Sequence, residues 1–454
     1  MTDIRDHGML LSEGDINLSP RRREWADRHI GPETREMLGR DEAVFLHQSL
    51  STPCLNVLRG CGGVYLEDAE GRRIMDFHGN YLHQAGYGHP KVIEAVVRQM
   101  GEMPFCPRRY TNATAVELAR RLVDAAPGDL SRVLFAPGGT AAVGMAMKLA
   151  RAATGRHVML SMWDSFHGAS LDAVSIGGEA IFRAGMGPLL PGCEHVPPPD
   201  PSGSPFAGPD SADRCADYIE YVLEKQGDVC AVVAETVRCS PYAPPLSFWR
   251  RVRESCDRHG ALLILDEIST ALGRTGHFYA VEPYGIVPDM IVLGKGLGGG
   301  IFPLAALLAR EGLNSAMPDR ALGHYTHEKN PVACAAGLAT VSLLLDDGLL
   351  EHARRMAGQA RDSLEALRKR HPMTGPIRGV GLLLGLELLE PGTGRRATEA
   401  AEMVMYAALE RGLSFKISMG NILTLVPPLV ITQEEWDRAV AILDECLTLA
   451  EAAG

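Results

Sequence analysis

The sequence predicts an α/β protein with a large domain, whose mainly parallel sheet is covered by helices, and a smaller α+β domain. Short apolar runs that suit buried strands alternate with helical segments through the middle of the chain. This alternation is typical of parallel sheets, because each crossover lays a helix on a face of the sheet. After residue 331 the pattern becomes mostly helical, which indicates a separate lobe.

The composition favours an ordinary globular protein. The 454 residues are 46% hydrophobic and 22% charged, close to the averages for folded domains. A net charge of −11 argues against a general nucleic-acid binder, which would carry a basic face. No apolar run approaches the ~20 residues that span a bilayer, so we expect no membrane partner.

The cysteines and the first thirty residues favour a cytoplasmic location. The ten cysteines contain no C-x-x-C pair, which predicts reduced thiols, and we expect no metal site. The N-terminal segment carries Asp3, Asp6, Glu13 and Asp15 but no apolar core, so we expect no signal peptide.

The chain divides into an arm and two domains by its patterning. Residues 1–60 are polar and irregular and predict an N-terminal arm. Residues 61–90 together with 335–454 predict the small α+β domain, and residues 91–334 predict the large domain. In the small domain, residues 64–72 are typical of a strand, a turn and a second strand.

Within the large domain, apolar periodicity indicates helices and continuous apolar runs indicate strands. The helices are predicted over 115–126, 140–153 and 248–259, and the strands over 157–161, 230–234, 261–265 and 290–293. Near the C-terminus, Thr432 and Glu435 have the spacing of a capping box that opens the last helix.

Polar side chains follow several of the predicted strands. Glu235, Asp266 and Lys295 come directly after, or within two residues of, strands 230–234, 261–265 and 290–293. The carboxyl ends of parallel strands meet at one edge of the sheet, where ligands bind. A simple salt bridge between a carboxylate and the lysine is the alternative interpretation of this pattern.

The turn Gly138-Gly139-Thr140 opens a predicted helix. Free backbone N–H groups and the positive end of the helix dipole suit a phosphate at such a position. An ordinary glycine turn is the alternative. The glycines around Lys295 are not a dinucleotide fingerprint, because Ile301-Phe302-Pro303 follows where a helix is required.

The combination of these features is more specific than each of them alone. A phosphate-binding turn, an aromatic residue at Phe166, the strand-end Asp266 and a lysine 29 residues later are what pyridoxal phosphate requires. The lysine forms a Schiff base with the aldehyde, and the carboxylate keeps the pyridine nitrogen protonated.

The chain resembles the class III aminotransferase family of pyridoxal-phosphate enzymes, over residues 60 to 450. The matching motifs are Leu265-Asp266-Glu267-Ile268, Gly273-Arg274-Thr275-Gly276, Pro288-Asp289, Gly294-Lys295-Gly296, Asn330-Pro331 and Pro427-Pro428-Leu429. The resemblance implies a fold type I enzyme, with a seven-stranded type of sheet in its large domain and pyridoxal 5'-phosphate as its cofactor.

The resemblance also implies roles for individual residues. Lys295 would be the Schiff-base lysine and Asp266 the partner of the ring nitrogen. The other cofactor-binding positions would be Phe166 and Ile268 on the two ring faces, Gly139 and Thr140 at the phosphate, Glu235 near the active site, and Thr326 at the phosphate of a partner subunit. A homodimer with shared active sites is therefore expected, and a tetramer stays open.

Two departures from the family pattern bear on the reaction. Many relatives that use 2-oxo acids carry an arginine shortly before Pro427, whereas residues 415–426 contain only Lys416 as a cation. An arginine clamps a carboxylate with two parallel hydrogen bonds. The sequence also lacks both glutamates that the family usually shows in the turn at Gly138, which suggests a subfamily.

A run of polar residues predicts a small, anionic amine substrate. The candidate substrate-binding residues are His78, Asn80, His83, Arg108, Arg109, Tyr110 and Lys416. A polar interface between subunits is the alternative for each of them. This pattern is similar to the lyase branch of the family, which includes the (R)-1-hydroxy-2-aminoethylphosphonate ammonia-lyase.

Two reactions therefore remain open. An ammonia-lyase would eliminate the β-hydroxyl of an aminophosphonate and release an aldehyde and ammonia. An omega-type transaminase would instead move the amino group to a 2-oxo acid. The absent arginine places the lyase slightly ahead, and the presence of Lys295 and Asp266 argues against a protein without catalytic activity.

Overall fold

The computed structural model describes residues 19–48, 54–202, 204–206, 208–316 and 318–453. These residues form two compact units: the first is Pro90–Glu351, and the second combines the described residues up to His89 with those from His352 onward. The first unit holds the mainly parallel sheet, and the second is a smaller α+β unit.

The strands of the described residues are mostly short and apolar. In chain order they are β1 (Leu58–Gly62), β2 (Tyr65–Asp68), β3 (Arg73–Asp76), β4 (Leu130–Ala136), β5 (Val158–Met162), β6 (Cys193–Val196), β7 (Val229–Glu235), β8 (Leu262–Asp266), β9 (Met290–Leu293), β10 (Ala305–Arg310), β11 (Thr374–Val380), β12 (Leu383–Leu388), β13 (Leu413–Ser414), β14 (Lys416–Ser418) and β15 (Ile422–Leu425).

The described residues also form α-helices. They are α1 (Pro20–His29), α2 (Pro32–Val44), α3 (Pro90–Glu102), α4 (Ala113–Asp124), α5 (Gly139–Thr154), α6 (Leu171–Ile176), α7 (Ala180–Arg183), α8 (Ser211–Gln226), α9 (Leu246–His259), α10 (Glu311–Asn314), α11 (Pro331–Leu345), α12 (Leu349–Arg368), α13 (Thr398–Glu410) and α14 (Gln433–Ala453).

The first unit is built on a seven-stranded sheet with the order β4-β10-β9-β8-β7-β5-β6. Neighbouring strands from β6 to β9 pair in parallel, and β10 pairs antiparallel with both β4 and β9. Every residue of β7 and β9 is buried, as expected for strands covered on both faces. The predicted mainly parallel sheet is confirmed.

Helix α5 lies against this sheet and forms much of the core. Val143, Met145 and Ala146 of the helix share one buried cluster with Val233 of β7 and Val292 of β9. Helix α5 therefore begins at the edge of the sheet where β7, β8 and β9 end, which positions the candidate site.

The first unit extends beyond residue 334, where the sequence placed its end. Helix α11 spans that position and packs on α3 and α4, so it belongs to the first unit, which continues to Glu351. Asn330 caps α11 by accepting a hydrogen bond from the backbone N–H of Ala333 at 2.9 Å.

The second unit contains two four-stranded sheets, with the orders β1-β2-β3-β13 and β11-β12-β15-β14. Phe77 and Trp436 are fully buried here, with ring centroids 5.7 Å apart. The predicted capping box opens α14: the N–H of Thr432 donates to the Glu435 carboxylate at 2.9 Å, and the Glu435 N–H donates to the Thr432 hydroxyl at 3.3 Å.

Residues 19–48 were expected in an irregular arm, whereas the structure folds most of them into α1 and α2. Trp25 of α1 is buried, and α1 contacts α13, because a large aromatic side chain needs apolar surface to cover it. The rest of the predicted arm, residues 1–18 and 49–53, lies outside the described residues.

Among the described helices none is long and apolar enough on its own to span a membrane, although α11 and α12 meet the length and composition test as a bent pair.

Candidate functional site

The site lies where the carboxyl ends of β7, β8 and β9 meet the N-terminus of α5. The register pairs Glu235 of β7 with Asp266 of β8, and Asp266 with Val292 of β9. Lys295 follows three residues after Val292. A single edge of the sheet therefore brings together the three charged residues that the sequence places at strand ends.

Lys295 sits in a tight turn after β9. Its own φ is +46°, in the left-handed region that side chains other than glycine rarely adopt. Such a conformation costs on the order of 1–3 kcal/mol and recurs at functional sites. The Nζ atom of Lys295 donates a hydrogen bond to the hydroxyl of Ser269.

Asp266 is held at both carboxylate oxygens. One oxygen accepts from the backbone N–H of Ile268 at 3.0 Å, and the other lies 2.8 Å from Nδ1 of His167. The His167 side chain is fully buried, and its Nε2 lies 3.4 Å from the hydroxyl of Ser161. These contacts fix the orientation of the carboxylate at the edge of the sheet.

His167 and Ser269 are site residues that sequence reasoning did not assign. The sequence shows His167 next to Phe166 and Ser269 three residues after Asp266, but spacing does not reveal which ring nitrogen or amine they reach. The signal that could have found them is their position beside residues that were assigned.

A cavity of about 170 Å³ opens beside these groups. The predicted cofactor residues that line it are Gly139, Thr140, Phe166, Glu235, Asp266, Ile268 and Lys295. His167, Gly168, Val237, Ser269 and Thr270 complete its wall. Polar groups thus converge on a small, partly apolar space, which is the usual character of a cofactor site.

The N-terminus of α5 presents backbone donors to this cavity. Gly138 precedes the 16-residue helix, and its first N–H groups receive no side-chain cap from the described residues. A Cβ atom on Gly139 would lie 2.7 Å from Cδ1 of Ile268, so glycine is what allows the backbone to approach this closely. The hydroxyl of Thr270 is buried without a hydrogen-bond partner among the described residues.

These features fit a phosphorylated pyridine aldehyde. The helix N-terminus with Thr140 suits the phosphate, Asp266 suits a protonated ring nitrogen, and Lys295 supplies the amine for the aldehyde. Phe166 and Ile268 offer apolar surface for the ring, and Phe166 is itself supported by Phe182, with centroids 4.6 Å apart.

Glu235 is a buried carboxyl group in the wall of this cavity. Burial raises its pKa above the usual value, because removal from water disfavours the charged form. The Cys239 thiol donates a hydrogen bond to this carboxyl group.

The first unit also contains the predicted residues Thr326, Arg108, Arg109 and Tyr110. They are not among the described residues that line this cavity. Thr326, Arg109 and Tyr110 are exposed, Tyr110 with 65% of its surface. Arg108 contacts His324 and lies 3.7 Å from the Glu328 carboxylate. The expectation that these residues serve a substrate or a partner chain stays a prediction.

The other predicted substrate residues belong to the second unit. His78 and Asn80 line a cavity of about 510 Å³ in this unit. Gly79, Asn80 and Tyr81 have φ values of 45°, 46° and 63°, which makes a left-handed turn that costs conformational energy. The Asp76 carboxylate, not assigned from the sequence, holds the turn by accepting from the N–H groups of His78 and Gly79 at 3.0 Å each.

The structure gives His83 a different place from the expected one. Its ring is fully buried beneath the turn, where a Cβ on Gly79 would lie 2.5 Å from the His83 ring, and Nε2 lies 3.1 Å from the carbonyl oxygen of Asp76. The His83 ring supports the turn because the chain folds back over this ring.

The predicted substrate residue Lys416, on β14, is only 6% exposed.

Gly139→Ala is expected to lower the melting temperature of the cofactor-free protein. The new Cβ forces Ile268 to move, and Ile268 also lies against Gly294, where a Cβ would be 3.1 Å from Cγ2. Overpacking of this kind costs about 1–3 kcal/mol. Gly138→Ala is the matched control, because a Cβ there meets nothing within 4 Å. Equal melting temperatures for both variants would contradict this packing.

Comparisons with known proteins agree with this geometry. The family model described as aminotransferase class-III matches residues 47–447. The chain is 46% identical to the (R)-1-hydroxy-2-aminoethylphosphonate ammonia-lyase of Vibrio splendidus, over 96% of this chain and 95% of that protein. It is 35% identical to the acetylornithine aminotransferase of Caldanaerobacter subterraneus, over 85% and 93% of the two chains.

Solved structures of other proteins have the same fold. The taurine:2-oxoglutarate aminotransferase of Bifidobacterium kashiwanohense, in complex with PLP and glutamate, superposes with a TM-score of 0.86. It is 26% identical and covers 92% of this chain and 98% of its own. An amine transaminase from an uncultivated Pseudomonas species, with PLP bound, has a TM-score of 0.84 at 28% identity and covers 90% and 99% of the two chains.

Proposed function

Because the chain belongs to the class III aminotransferase family of pyridoxal-phosphate-dependent enzymes, we propose that it is an ammonia-lyase. Its substrate would be a short hydroxylated aminophosphonate, and its products an aldehyde and ammonia. The observation that carries the proposal is the 46% identity to an ammonia-lyase over nearly the whole of both chains, against 35% to an acetylornithine aminotransferase.

The C-terminal strands agree with this choice. Residues 415–426 contain no arginine, so the bidentate clamp that suits the carboxylate of an oxo acid is missing from β14 and β15. Lys416 of β14 pairs with Thr424 of β15. This pair of positions therefore offers an ammonium group and a hydroxyl, and no guanidinium. A lyase needs no second substrate and therefore no such clamp.

The cofactor would be held by the residues around the first unit's cavity. Pyridoxal phosphate supplies an electron-withdrawing ring that stabilises negative charge on the carbon next to a bound amine. Asp266 would keep a proton on the ring nitrogen, and His167 would hold Asp266 in position. Gly139 and Thr140 would bind the phosphate.

Lys295 would perform the proton transfer. Its Nζ atom would remove a proton from the amine-bearing carbon of the substrate. The carbon–oxygen bond of the β-hydroxyl would then break, and the oxygen would leave as water after taking up a proton from the solvent. Release of the product as an enamine and its hydrolysis would give the aldehyde and ammonia, so the water lost in the elimination is regained.

The phosphonate requires cationic partners. Arg108, Arg109 and Lys416 are the candidate cations, and Tyr110, His78 and Asn80 are candidate hydrogen-bonding residues. His83 would act indirectly, through the left-handed turn that it supports. We further propose a homodimer in which Thr326 reaches the partner's cofactor phosphate, since Thr326 is exposed on its own chain.

An omega-type transaminase is the second candidate. It shares the cofactor, Lys295 and Asp266, and several similar proteins bear aminotransferase names. The two reactions differ only after the first proton transfer, because a transaminase returns the proton to the cofactor and needs an oxo acid to complete its cycle.

Ammonia release in the absence of an acceptor distinguishes the two functions. The purified enzyme with pyridoxal phosphate is offered (R)-1-hydroxy-2-aminoethylphosphonate and, separately, 2-aminoethylphosphonate, which lacks the leaving hydroxyl. We expect ammonia and aldehyde in equal amounts from the first compound and no ammonia from the second. Amine consumption that depends on an added 2-oxo acid would instead establish the transaminase.

A further inference from the structure

Four side chains form a continuous hydrogen-bonded path in the first unit. Lys295 contacts Ser269, Ser269 contacts Cys239, and Cys239 contacts Glu235. Lys295, Ser269 and Glu235 all line the same cavity, and Cys239 is hydrogen-bonded to both Ser269 and Glu235. The path therefore connects the amine of the site to a carboxyl group that the proposed mechanism does not use.

The donors along this path all point the same way. The Nζ of Lys295 donates to the Ser269 hydroxyl. Ser269 in turn donates to the Cys239 sulfur, and the Cys239 thiol donates to the Glu235 carboxyl group. A uniform direction is what a stepwise transfer requires, because each group gives its own proton onward as it receives one.

The environment of Glu235 suits an acceptor that can hold a proton. The groups that face it are the guanidinium of Arg238, the ring of His167, the carboxylate of Asp266 and the thiol of Cys239. Burial is the largest effect and raises the pKa of this carboxyl group. Burial and the nearby Glu235 also raise the pKa of the Cys239 thiol well above its usual value, so the thiol stays protonated and able to donate.

We propose that Lys295, Ser269, Cys239 and Glu235 form a proton relay that carries the proton gained by Lys295 to the buried carboxylate of Glu235. The N–H bond of the Lys295 ammonium breaks, one proton moves across each hydroxyl and thiol, and an O–H bond forms on Glu235. No electron is transferred. The relay leaves Lys295 as the neutral amine that can attack the cofactor aldehyde again.

This inference rests on the proposed role of Lys295 as the amine that bonds the cofactor. It adds functions for Ser269 and Cys239, which the family resemblance did not assign, and for Glu235, which had only a position near the site. Ser269 and Cys239 act through Lys295 and Glu235, so they are positioning and relaying residues.

The rate at which pyridoxal phosphate joins the cofactor-free protein tests the relay without any substrate. Attack on the aldehyde requires Lys295 to lose a proton, and the visible absorbance of the product reports the reaction. The rate is measured by stopped flow between about pH 6 and pH 11, a range that extends past the ordinary lysine pKa of about 10.4, in wild type and in Glu235→Gln, Cys239→Ala and Cys239→Ser.

We expect Cys239→Ala and Glu235→Gln to slow the association by about tenfold or more near neutral pH. This loss is smaller than the roughly 100- to 10,000-fold rate effect of a positioned acid or base, because solvent can also accept the proton. Cys239→Ser should stay within about twofold of wild type, because a hydroxyl both donates and accepts. At high pH all variants should converge, since the amine then loses its proton to the solvent. Cys230→Ala, which removes a thiol near the amino end of β7, is the matched control and should match wild type at every pH.

Other outcomes would overturn the relay. If Glu235 acts only through its charge, Glu235→Gln will accelerate association or leave it unchanged, and Cys239→Ala will have no effect. If Cys239 serves only packing, Cys239→Ser will be as slow as Cys239→Ala, and neither will recover at high pH. The absorbance change should be absent in Lys295→Ala. Its persistence there would refute the proposed lysine, and hence the proposed function, rather than the relay alone.

Discussion

Lys295→Ala is expected to abolish turnover almost completely, by about 1,000-fold or more. The variant loses the amine that bonds the cofactor aldehyde and also the base that takes the substrate proton. We expect the protein to remain folded, because the lysine side chain borders a cavity. Initial rates of ammonia release measure the loss, and borohydride followed by mass mapping of the cofactor shows whether the covalent bond has disappeared.

Lys148→Ala is the control for this experiment, because Lys148 is an exposed lysine on α5. It should keep a normal rate, a normal visible band and a normal site of borohydride labelling. Near-normal turnover in Lys295→Ala, or labelling of another lysine in the wild type, would show that a different residue bonds the cofactor.

Asp266→Asn should retain the cofactor but lose about 100- to 1,000-fold in kcat, the range seen when one preorganised electrostatic partner of a transition state is removed. A neutral amide has no charge with which to hold a proton on the ring nitrogen, so the ring withdraws electrons less strongly. The backbone contact of Ile268 and the ring of His167 should still orient the side chain. The measurements are kcat and the dissociation constant of the cofactor.

Asp289→Asn makes the same chemical change in another buried carboxylate of the same sheet. Asp289 pairs with Arg253 at 2.6 Å and with the N–H of Leu263 at 2.7 Å, at the amino end of β9 and away from the cavity residues. It should lower thermal stability without lowering kcat. A similar fall in kcat for both variants would mean that Asp266 acts through stability rather than through the ring nitrogen.

The sequence alone predicted the elements whose causes are local. The runs that became β7, β8 and β9 are continuous and apolar, so they require burial on both faces, and their observed bounds differ from the predicted ones by two residues or fewer. The capping box at Thr432 needs only a spacing of three residues, and the structure contains both of its hydrogen bonds.

The end of the first unit depends on contacts between distant parts of the chain, so the local sequence around residue 334 does not determine it. Helix α11 is apolar around most of its circumference, and such a helix is compatible with burial in either unit. Its assignment follows from the surfaces of α3 and α4, which are more than two hundred residues earlier in the chain.

The sequence alone could predict the lysine, the strand-end carboxylates and the phosphate-binding turn. Parallel strands bring their carboxyl ends to one edge of the sheet, whatever the details of packing. The contacts among these groups could not be predicted. That His167 reaches Asp266, and that Ser269 and Cys239 connect Lys295 to Glu235, depends on side-chain directions set by left-handed backbone and close packing. Hydrogen bonds change over tenths of an ångström, and only the folded chain positions atoms that finely.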